Sequence, residues 1–276
     1  MEVRLAESAG FCWGVKHAVE KARRLAQSDA APVVTDGPLI HNDQLMAQLR
    51  TEGIHETDDP SSLSGGTLLI RAHGISPARR AQLKKLPVHL SDATCRDVSR
   101  IQGQILAHAH KGFHTIIFGD PGHAEVLGLL GCAEGRGHVV ATPADVERLP
   151  EIAPVCVVSQ STQFPESYAD IARAVRRRFP DAIVLDTICE ATRKRQTELV
   201  RLAGEVDVLV VVGGRNSANT LRLVELARSL KPTFQIETAS QLDPQQFKGY
   251  IIAGLTAGAS TPDFVIEEVR RLLESI

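Results

Sequence analysis

Short apolar runs alternate with helical periodicity along the whole chain, and this alternation limits the fold more than any other feature. The runs include Thr67–Ile70, Thr115–Phe118, Val155–Val158, Val206–Val212 and Tyr250–Ala253. Helical periodicity is read at Val15–Ala26, Asp43–Glu52, Val98–Ala109, Ala169–Phe179, Ala191–Gly204, Thr220–Leu230 and Pro262–Ser275. Strands that are apolar almost without interruption must be covered on both faces. That pattern argues for α/β architecture with mainly parallel sheets between helices.

Size and charge narrow the class further. A chain of 276 residues, 43% of them hydrophobic, is long enough for two or three units of about 100 residues. No Ser/Gly linker or low-complexity tract separates them, so the units are expected to pack together. The formal net charge of −2 gives no whole-chain attraction to nucleic acid or anionic lipid. The run Arg176-Arg177-Arg178 falls on a predicted helix and reads as a solvated face. No apolar run follows Met1, and none approaches the ~18 residues of a membrane span. A soluble, cytoplasmic protein is expected, in which cysteines serve as core residues, nucleophiles or metal ligands and not as disulfides.

Three of the five cysteines stand out. Cys12, Cys95 and Cys189 divide the chain into near-equal thirds, and each follows a strand-like stretch and precedes a helical one. At such a junction backbone donors and the helix dipole favour the thiolate. Cys156 lies inside an apolar run and Cys132 follows Leu129-Leu130-Gly131, so both read as structural. Three thiols, one per repeat-like unit, suit a shared metal centre. A zinc site completed by a histidine is one candidate, and a [4Fe–4S] cluster with one iron lacking a protein ligand is another.

The loops between strands and helices supply the remaining chemistry. The junction Gly213-Gly214-Arg215-Asn216-Ser217-Ala218-Asn219-Thr220 allows close backbone approach and adds Ser217 and Asn219 near a helix start. Leu255 to Asp263 makes a second such junction, with Ser260 or Thr261 near the cap and Pro262 in the first turn. Both could equally be ordinary helix caps. Their pairing favours a phosphate-type ligand. His41, His73 and His123 lie in comparable loops with glycine neighbours and could donate to a diphosphate near neutral pH. Glu125, two residues after His123, is placed as a proton donor whose pKa an anionic ligand would raise. His108, His110 and His114 are expected on or beside a helix at the surface.

These residues together resemble the 4-hydroxy-3-methylbut-2-enyl diphosphate reductase family over essentially the whole chain. The stretches that carry the likeness are Gly10-Phe11-Cys12-Trp13-Gly14-Val15, His41-Asn42, Ala72-His73-Gly74, Asp92-Ala93-Thr94-Cys95, Gly122-His123-Ala124-Glu125, Ile188-Cys189-Glu190-Ala191-Thr192, Asn216-Ser217-Ala218-Asn219 and Thr256-Ala257-Gly258-Ala259-Ser260. The resemblance implies a trefoil of three α/β units around a central [4Fe–4S] cluster. Its units would be residues 1–95, with 265–276 packing back on them, then 96–187 and 188–264. Cys12, Cys95 and Cys189 would be the three protein ligands, leaving a fourth iron open. His41, His73, His123, Ser161, Ser217, Asn219 and Ser260 would hold the substrate. Glu125, with His123 and Ser161, would deliver protons.

The implied reaction is reductive dehydroxylation of the allylic diphosphate to isopentenyl and dimethylallyl diphosphate, the last step of the methylerythritol phosphate route. Electrons would come from a ferredoxin- or flavodoxin-like donor, and neither nucleic acid nor membrane is an implied partner. Ser161 stands where the family usually has Thr, Ala218 where it usually has Ser, and Ala124 and Arg96 where it usually has Pro. The chain also ends at Ile276, without the longer tail some members carry. These departures keep open a paralogous reductase for another allylic alcohol, and beyond it a non-enzymatic iron–sulfur sensor.

Overall fold

Every strand pair that the computed structural model describes, over residues 1–28 and 32–276, is parallel. The strands form three four-stranded sheets, and the chain divides into two compact units.

The first unit comprises Met1–Lys16, Ile40–Gln48 and Glu190–Ile276. Its sheet runs β1 (Glu2–Leu5), β12 (Ile252–Ala257), β10 (Val208–Val212), β11 (Thr233–Ile236). Along β10 the side chains alternate between two cores. Val208, Val210 and Val212 pack with Val265, Ile266, Val269 and Leu273 of helix α10 (Asp263–Glu274). Leu209 and Val211 pack instead with Leu199, Leu202 and Ala203 of α8 (Glu190–Ala203) and with Leu223, Val224 and Ala227 of α9 (Ala218–Leu230). All five β10 residues are fully buried. A strand with helices on both faces has no polar side to show, which is why its sequence does not alternate. Each such Val or Leu contributes roughly 1.5–3 kcal/mol by leaving water.

The second unit comprises His17–Leu39 and Leu49–Cys189 and holds two sheets. One runs β3 (Ile54–Thr57), β2 (Val33–Asp36), β4 (Thr67–Ile70), β5 (His89–Asp92), with Leu68 and Ile70 packed on Ile75 and on Leu83 of α3 (Pro77–Leu83). The other runs β7 (Gly137–Val140), β6 (His114–Phe118), β8 (Val155–Ser159), β9 (Ile183–Val184). Here Ile116, Phe118 and Val157 meet Tyr168, Ile171 and Val175 of α7 (Pro165–Arg178), and Val146 of α6 (Pro143–Glu147) joins them. On the opposite face Ile117 and Val158 meet Ile101 and Ile105 of α4 (Arg96–Ala109) and Val126 and Leu129 of α5 (Ala124–Cys132). Helices α1 (Trp13–Ala26) and α2 (Asp43–Thr51) complete the set.

The α/β class with parallel sheets is therefore what the apolar runs indicated. One strand departs from chain order: β1, at the N-terminus, lies in the sheet of β10, β11 and β12. β1 pairs with β12, Val3 opposite Ala253 and Leu5 opposite Leu255, and its Met1 and Val3 pack into the core formed with α10. β12 sits inside its sheet and needs a neighbour on each side; β10 provides one and the N-terminal strand the other. His114 opens β6 and is half-buried, its Nδ1 3.2 Å from Nε2 of His138. Pro262 stands at the cap of α10, one position earlier than expected. Among the described residues, no helix is long and apolar enough to cross a membrane.

Candidate active site

Each residue singled out for chemistry follows the C-terminal end of a strand. His73 follows β4, Cys95 follows β5, His123 follows β6, Ser161 follows β8 and Cys189 follows β9; in the other unit Cys12 follows β1, Ser217 follows β10 and Ser260 follows β12. His41 lies between β2 and α2. In open parallel sheets this is the edge where ligands bind, because loops there can vary while strands stay fixed.

Within the second unit a continuous series of contacts joins five of these residues. The Cys95 backbone N–H donates to the Ala72 carbonyl at 2.9 Å, which places Cys95 beside the loop of His73. The His73 and His123 rings meet edge to face, with centroids 5.6 Å apart. His123 caps α5: its Nδ1 accepts the Glu125 N–H at 3.2 Å. That bond assigns the lone pair to Nδ1, so the neutral ring carries its hydrogen on Nε2 as a donor. The Glu125 carboxylate is only 2% exposed. Its Oε1 accepts the Ser161 N–H at 2.6 Å and its Oε2 accepts the Ser161 hydroxyl at 2.8 Å. The Ser161 carbonyl in turn accepts the Cys189 N–H at 3.0 Å.

Buried amides and hydroxyls hold these loops. Gln160, fully buried, donates its N–H to the Phe118 carbonyl at 2.8 Å and accepts the Asp120 N–H on Oε1 at 2.9 Å. It thereby ties the loop before His123 to the loop of Ser161. Thr187 both donates to the Ser159 carbonyl and accepts the Ser159 N–H through one hydroxyl, at 2.9 and 2.7 Å, two residues before Cys189. Asp92 accepts the N–H and hydroxyl of Thr94 and pairs with Arg80 next to Cys95. Burial opposes the Asp92 charge, but these donors prevail and hold its pKa below the ordinary carboxylate value.

In the first unit the remaining residues gather on the peptide of Ala259. Its carbonyl accepts the Cys12 N–H at 3.2 Å, and its N–H donates to Asn219 Oδ1 at 3.0 Å. The next residue, Ser260, donates its hydroxyl to the His41 carbonyl at 3.2 Å. Ser217 caps α9 and accepts the Thr220 N–H at 3.4 Å, while Asn42 accepts the Leu45 N–H at the start of α2. Ser217, Asn219 and Ser260 are each under a tenth exposed. The Gly213 and Gly258 loops close tightly over the fully buried Thr220, and a Cβ on Gly258 would collide with Thr220 Oγ1. Gly258→Ala is expected to cost about 1–3 kcal/mol through overpacking, measured as a lowered midpoint of thermal unfolding.

The cysteines fall into two classes. Cys132 and Cys156 are 1% and 0% exposed, and burial pushes the Cys132 thiol up to about 11 and raises that of Cys156. Both are poor thiolates. Cys12, Cys95 and Cys189 are all partly exposed, and none of the five is in a disulfide. The Cys12 sulfur accepts the Val15 N–H at 3.5 Å at the start of α1; Cys95 is the cap residue of α4; Cys189 immediately precedes α8. Donor groups at helix starts suit sulfur ligands that must stay deprotonated. A thiol of this kind is the ligand type that an iron–sulfur cluster uses.

Sequence reading singled out residues with reactive side chains and passed over those that hold their loops. Gln160, Thr187 and Ala259 carry no signal in a single chain beyond proximity to a chosen residue. One signal was available: an aspartate stands three residues before both Cys95 and Cys189.

Comparison with known proteins identifies the family. The family model described as LytB protein matches residues 3–274. A curated protein of Opitutus terrae named 4-hydroxy-3-methylbut-2-enyl diphosphate reductase is 48% identical, with both chains covered in full. A protein of the same name from Aquifex aeolicus is 36% identical over 100% of this chain and 97% of its own. Among solved structures, the E-1-hydroxy-2-methyl-but-2-enyl-4-diphosphate reductase of Plasmodium falciparum superposes with a TM-score of 0.94 at 29% identity, covering 99% of this chain and 87% of that one. Another, described as (E)-4-hydroxy-3-methyl-but-2-enyl diphosphate reductase, the terminal enzyme of the non-mevalonate pathway, gives a TM-score of 0.75 at 36% identity, over 100% and 99% of the two chains. With a family match from the first strand to the last helix and relatives alike over their full length, this chain belongs to the LytB family.

Proposed function

We propose that the protein reduces (E)-4-hydroxy-3-methylbut-2-enyl diphosphate to isopentenyl and dimethylallyl diphosphate. The observation that carries the reading is the buried Glu125 carboxyl with both oxygens engaged by Ser161, in the loop set that also bears Cys95, Cys189 and two histidines. A sensor has no use for a buried proton donor coupled to a hydroxyl. A reaction that expels hydroxide as water does.

Cys12, Cys95 and Cys189 would hold a [4Fe–4S] cluster with one iron open to substrate. When bound, such a cluster supplies electrons one at a time and a Lewis-acidic iron. A ferredoxin- or flavodoxin-like protein is the proposed electron source. Two electrons and two protons replace the C–O bond by C–H and release water.

The chain's own groups handle the anion and the protons. With Nδ1 accepting the Glu125 N–H, His123 would turn its Nε2–H to the diphosphate. His41 and His73 are assigned the same role. Ser217 accepts the Thr220 N–H and so keeps its own O–H to donate. Asn219 accepts the Ala259 N–H through its carbonyl and keeps its amide NH2. Ser260 must exchange its bond to the His41 carbonyl for one to the ligand. Ala218, 7% exposed at the start of α9, leaves this shell one hydroxyl short of the usual family pattern.

Protonation runs from Glu125 through Ser161. When the carboxyl is protonated it donates to Ser161 Oγ, whose own hydrogen turns toward the leaving hydroxyl; one concerted shift moves a proton across the pair without a charged intermediate on serine. Anaerobic protein with its cluster restored and a strong one-electron reductant should convert the substrate to a mixture of the two five-carbon diphosphates. An intact cluster spectrum without product would overturn the reading.

A further inference from the structure

The candidate ligand Cys12 stands at the end of a loop that two charged side chains of α8 hold by its backbone. Glu198, 9% exposed, accepts the Glu7 N–H at 2.7 Å, the Ser8 N–H at 2.9 Å and the Ser8 hydroxyl. Arg195, 4% exposed, donates through Nη2 to the Gly10 carbonyl at 2.5 Å and through Nη1 to the Ala191 carbonyl at 3.2 Å. The two residues are three apart and so lie on one side of the helix. Gly10 has φ +95°, and a Cβ there would lie 2.9 Å from Asp263 Oδ1 and 3.2 Å from Ile266 Cδ1. The segment is therefore fastened at residues 7, 8, 10 and 12, the last through the Ala259 carbonyl.

We propose that Arg195 and Glu198 are positioning residues for Cys12. They set the path of Glu7–Cys12 so that the thiolate is presented in one orientation before any cluster is bound. The observations favour this over a general stabilising role. Two buried charges on one helix face are directed at a single six-residue segment, where they meet the Glu7 and Ser8 N–H groups, the Ser8 hydroxyl and the Gly10 carbonyl. Burying a carboxylate and a guanidinium is costly unless each is matched by hydrogen bonds; three of the matches of Glu198 and one of those of Arg195 lie in the segment that ends at Cys12, beside the Ala191 carbonyl and Arg201 on α8 itself. Burial works against the Glu198 charge, yet the Ser8 and Glu7 donors and Arg201 hold its pKa below the ordinary value. Helix α8 starts one residue after Cys189, so it follows one candidate ligand in sequence and grips the approach to another. The inference rests on Cys12 being a cluster ligand.

The test uses the full chain freed of metal by chelator and reductant, with iodoacetamide labelling rates read for each cysteine by mass spectrometry. Glu198→Ala releases three charge-assisted bonds, so local opening becomes easier and Cys12 labelling should quicken by about tenfold, with Cys95 unchanged. Ser8→Ala should give a smaller increase at the same cysteine. Asp207→Ala is the matched control. Asp207 also accepts two backbone N–H groups, those of Ile251 and Ile252 at 2.9 Å, at the other, N-terminal end of the strands of the same sheet, and its loss should leave Cys12 labelling unaltered. With the cluster restored, the reduced protein of Glu198→Ala should show a shifted electron paramagnetic resonance spectrum.

An unchanged Cys12 rate in Glu198→Ala, or an equal rise at Cys95 or in Asp207→Ala, would overturn the proposal. If Glu198→Ala does not fold, Ser8→Ala and Arg195→Lys decide it, and no change at Cys12 in both would overturn it. Failure of the ligand assignment reads out separately: Cys12→Ala would then retain the full cluster.

Discussion

Glu125→Gln is expected to lower turnover by about 10²–10⁴-fold, the usual contribution of a positioned proton donor, with cluster content and substrate affinity close to normal. The substitution is informative because the pocket can accept it. The amide oxygen can keep the Ser161 N–H bond now made to Oε1 at 2.6 Å. The amide NH2 then faces Ser161 Oγ, which lies 2.8 Å from Oε2, and donates to it. Both contacts survive with one reversed, and only the transferable proton is lost. Steady-state rates of wild type and variant with matched iron content check this. A near-normal rate would remove Glu125 from the acid role and leave Ser161 without a proton to relay.

The second large effect is expected at the cysteines, and it separates them cleanly. Cys12→Ala, Cys95→Ala and Cys189→Ala should each abolish a stable four-iron cluster and with it all turnover, because each removes one of only three protein attachments. Cys156→Ala should keep the cluster. Its thiol is fully buried among β6 and β8 residues, its nearest polar partner is Thr115 Oγ1 at 3.4 Å, and its loss costs folding stability, about 1–2 kcal/mol for a small core truncation. Iron and sulfide analysis together with the visible absorption of the protein distinguishes the two outcomes. A Cys156 variant that lost its cluster, or a Cys95 variant that kept it, would reverse the assignment of core and ligand thiols.

The chain announced its class through strands such as Val206–Val212, because burial on both faces leaves no polar alternation to misread. It was less explicit about ends. The observed strand starts at Val208. Asp207 turns its carboxylate back to the N–H groups of Ile251 and Ile252, a use of Asp that looks like any polar interruption in one dimension. Helix α5 was legible at its start, at Glu125, but not in its course. Ala124–Cys132 is apolar nearly throughout, with Val126 and Leu129 buried and Leu127 exposed, so it shows no polar face from which a period could be read.

Sheet membership was the largest feature the linear order concealed. Nothing local in Glu2–Leu5 says that its partner is Ile252–Ala257, since parallel pairing is decided by long-range closure and not by a turn.

The candidate site was legible in its reactive residues and not in its supports. His123 and Glu125 could be picked from a loop at a predicted strand end, and Ser161 only through the family resemblance. That His123 would spend Nδ1 on the Glu125 N–H follows only from the cap geometry. Helix α8 shows the limit most plainly. Glu190, Arg193, Lys194, Arg195, Glu198 and Arg201 all carry charge along this helix, yet Arg195 and Glu198 are buried and bound to a loop far away in sequence. Charge alone does not tell a surface side chain from an internal clamp. Only the position of its partner does.

The central claim is that three thiolates hold a four-iron cluster whose remaining iron meets the substrate. Mössbauer spectroscopy of anaerobic protein with and without substrate tests it most directly. About one quarter of the iron should form a distinct site in the free protein, and that quarter alone should change its parameters when the substrate is added. Four equivalent irons, or a spectrum indifferent to substrate, would contradict the account.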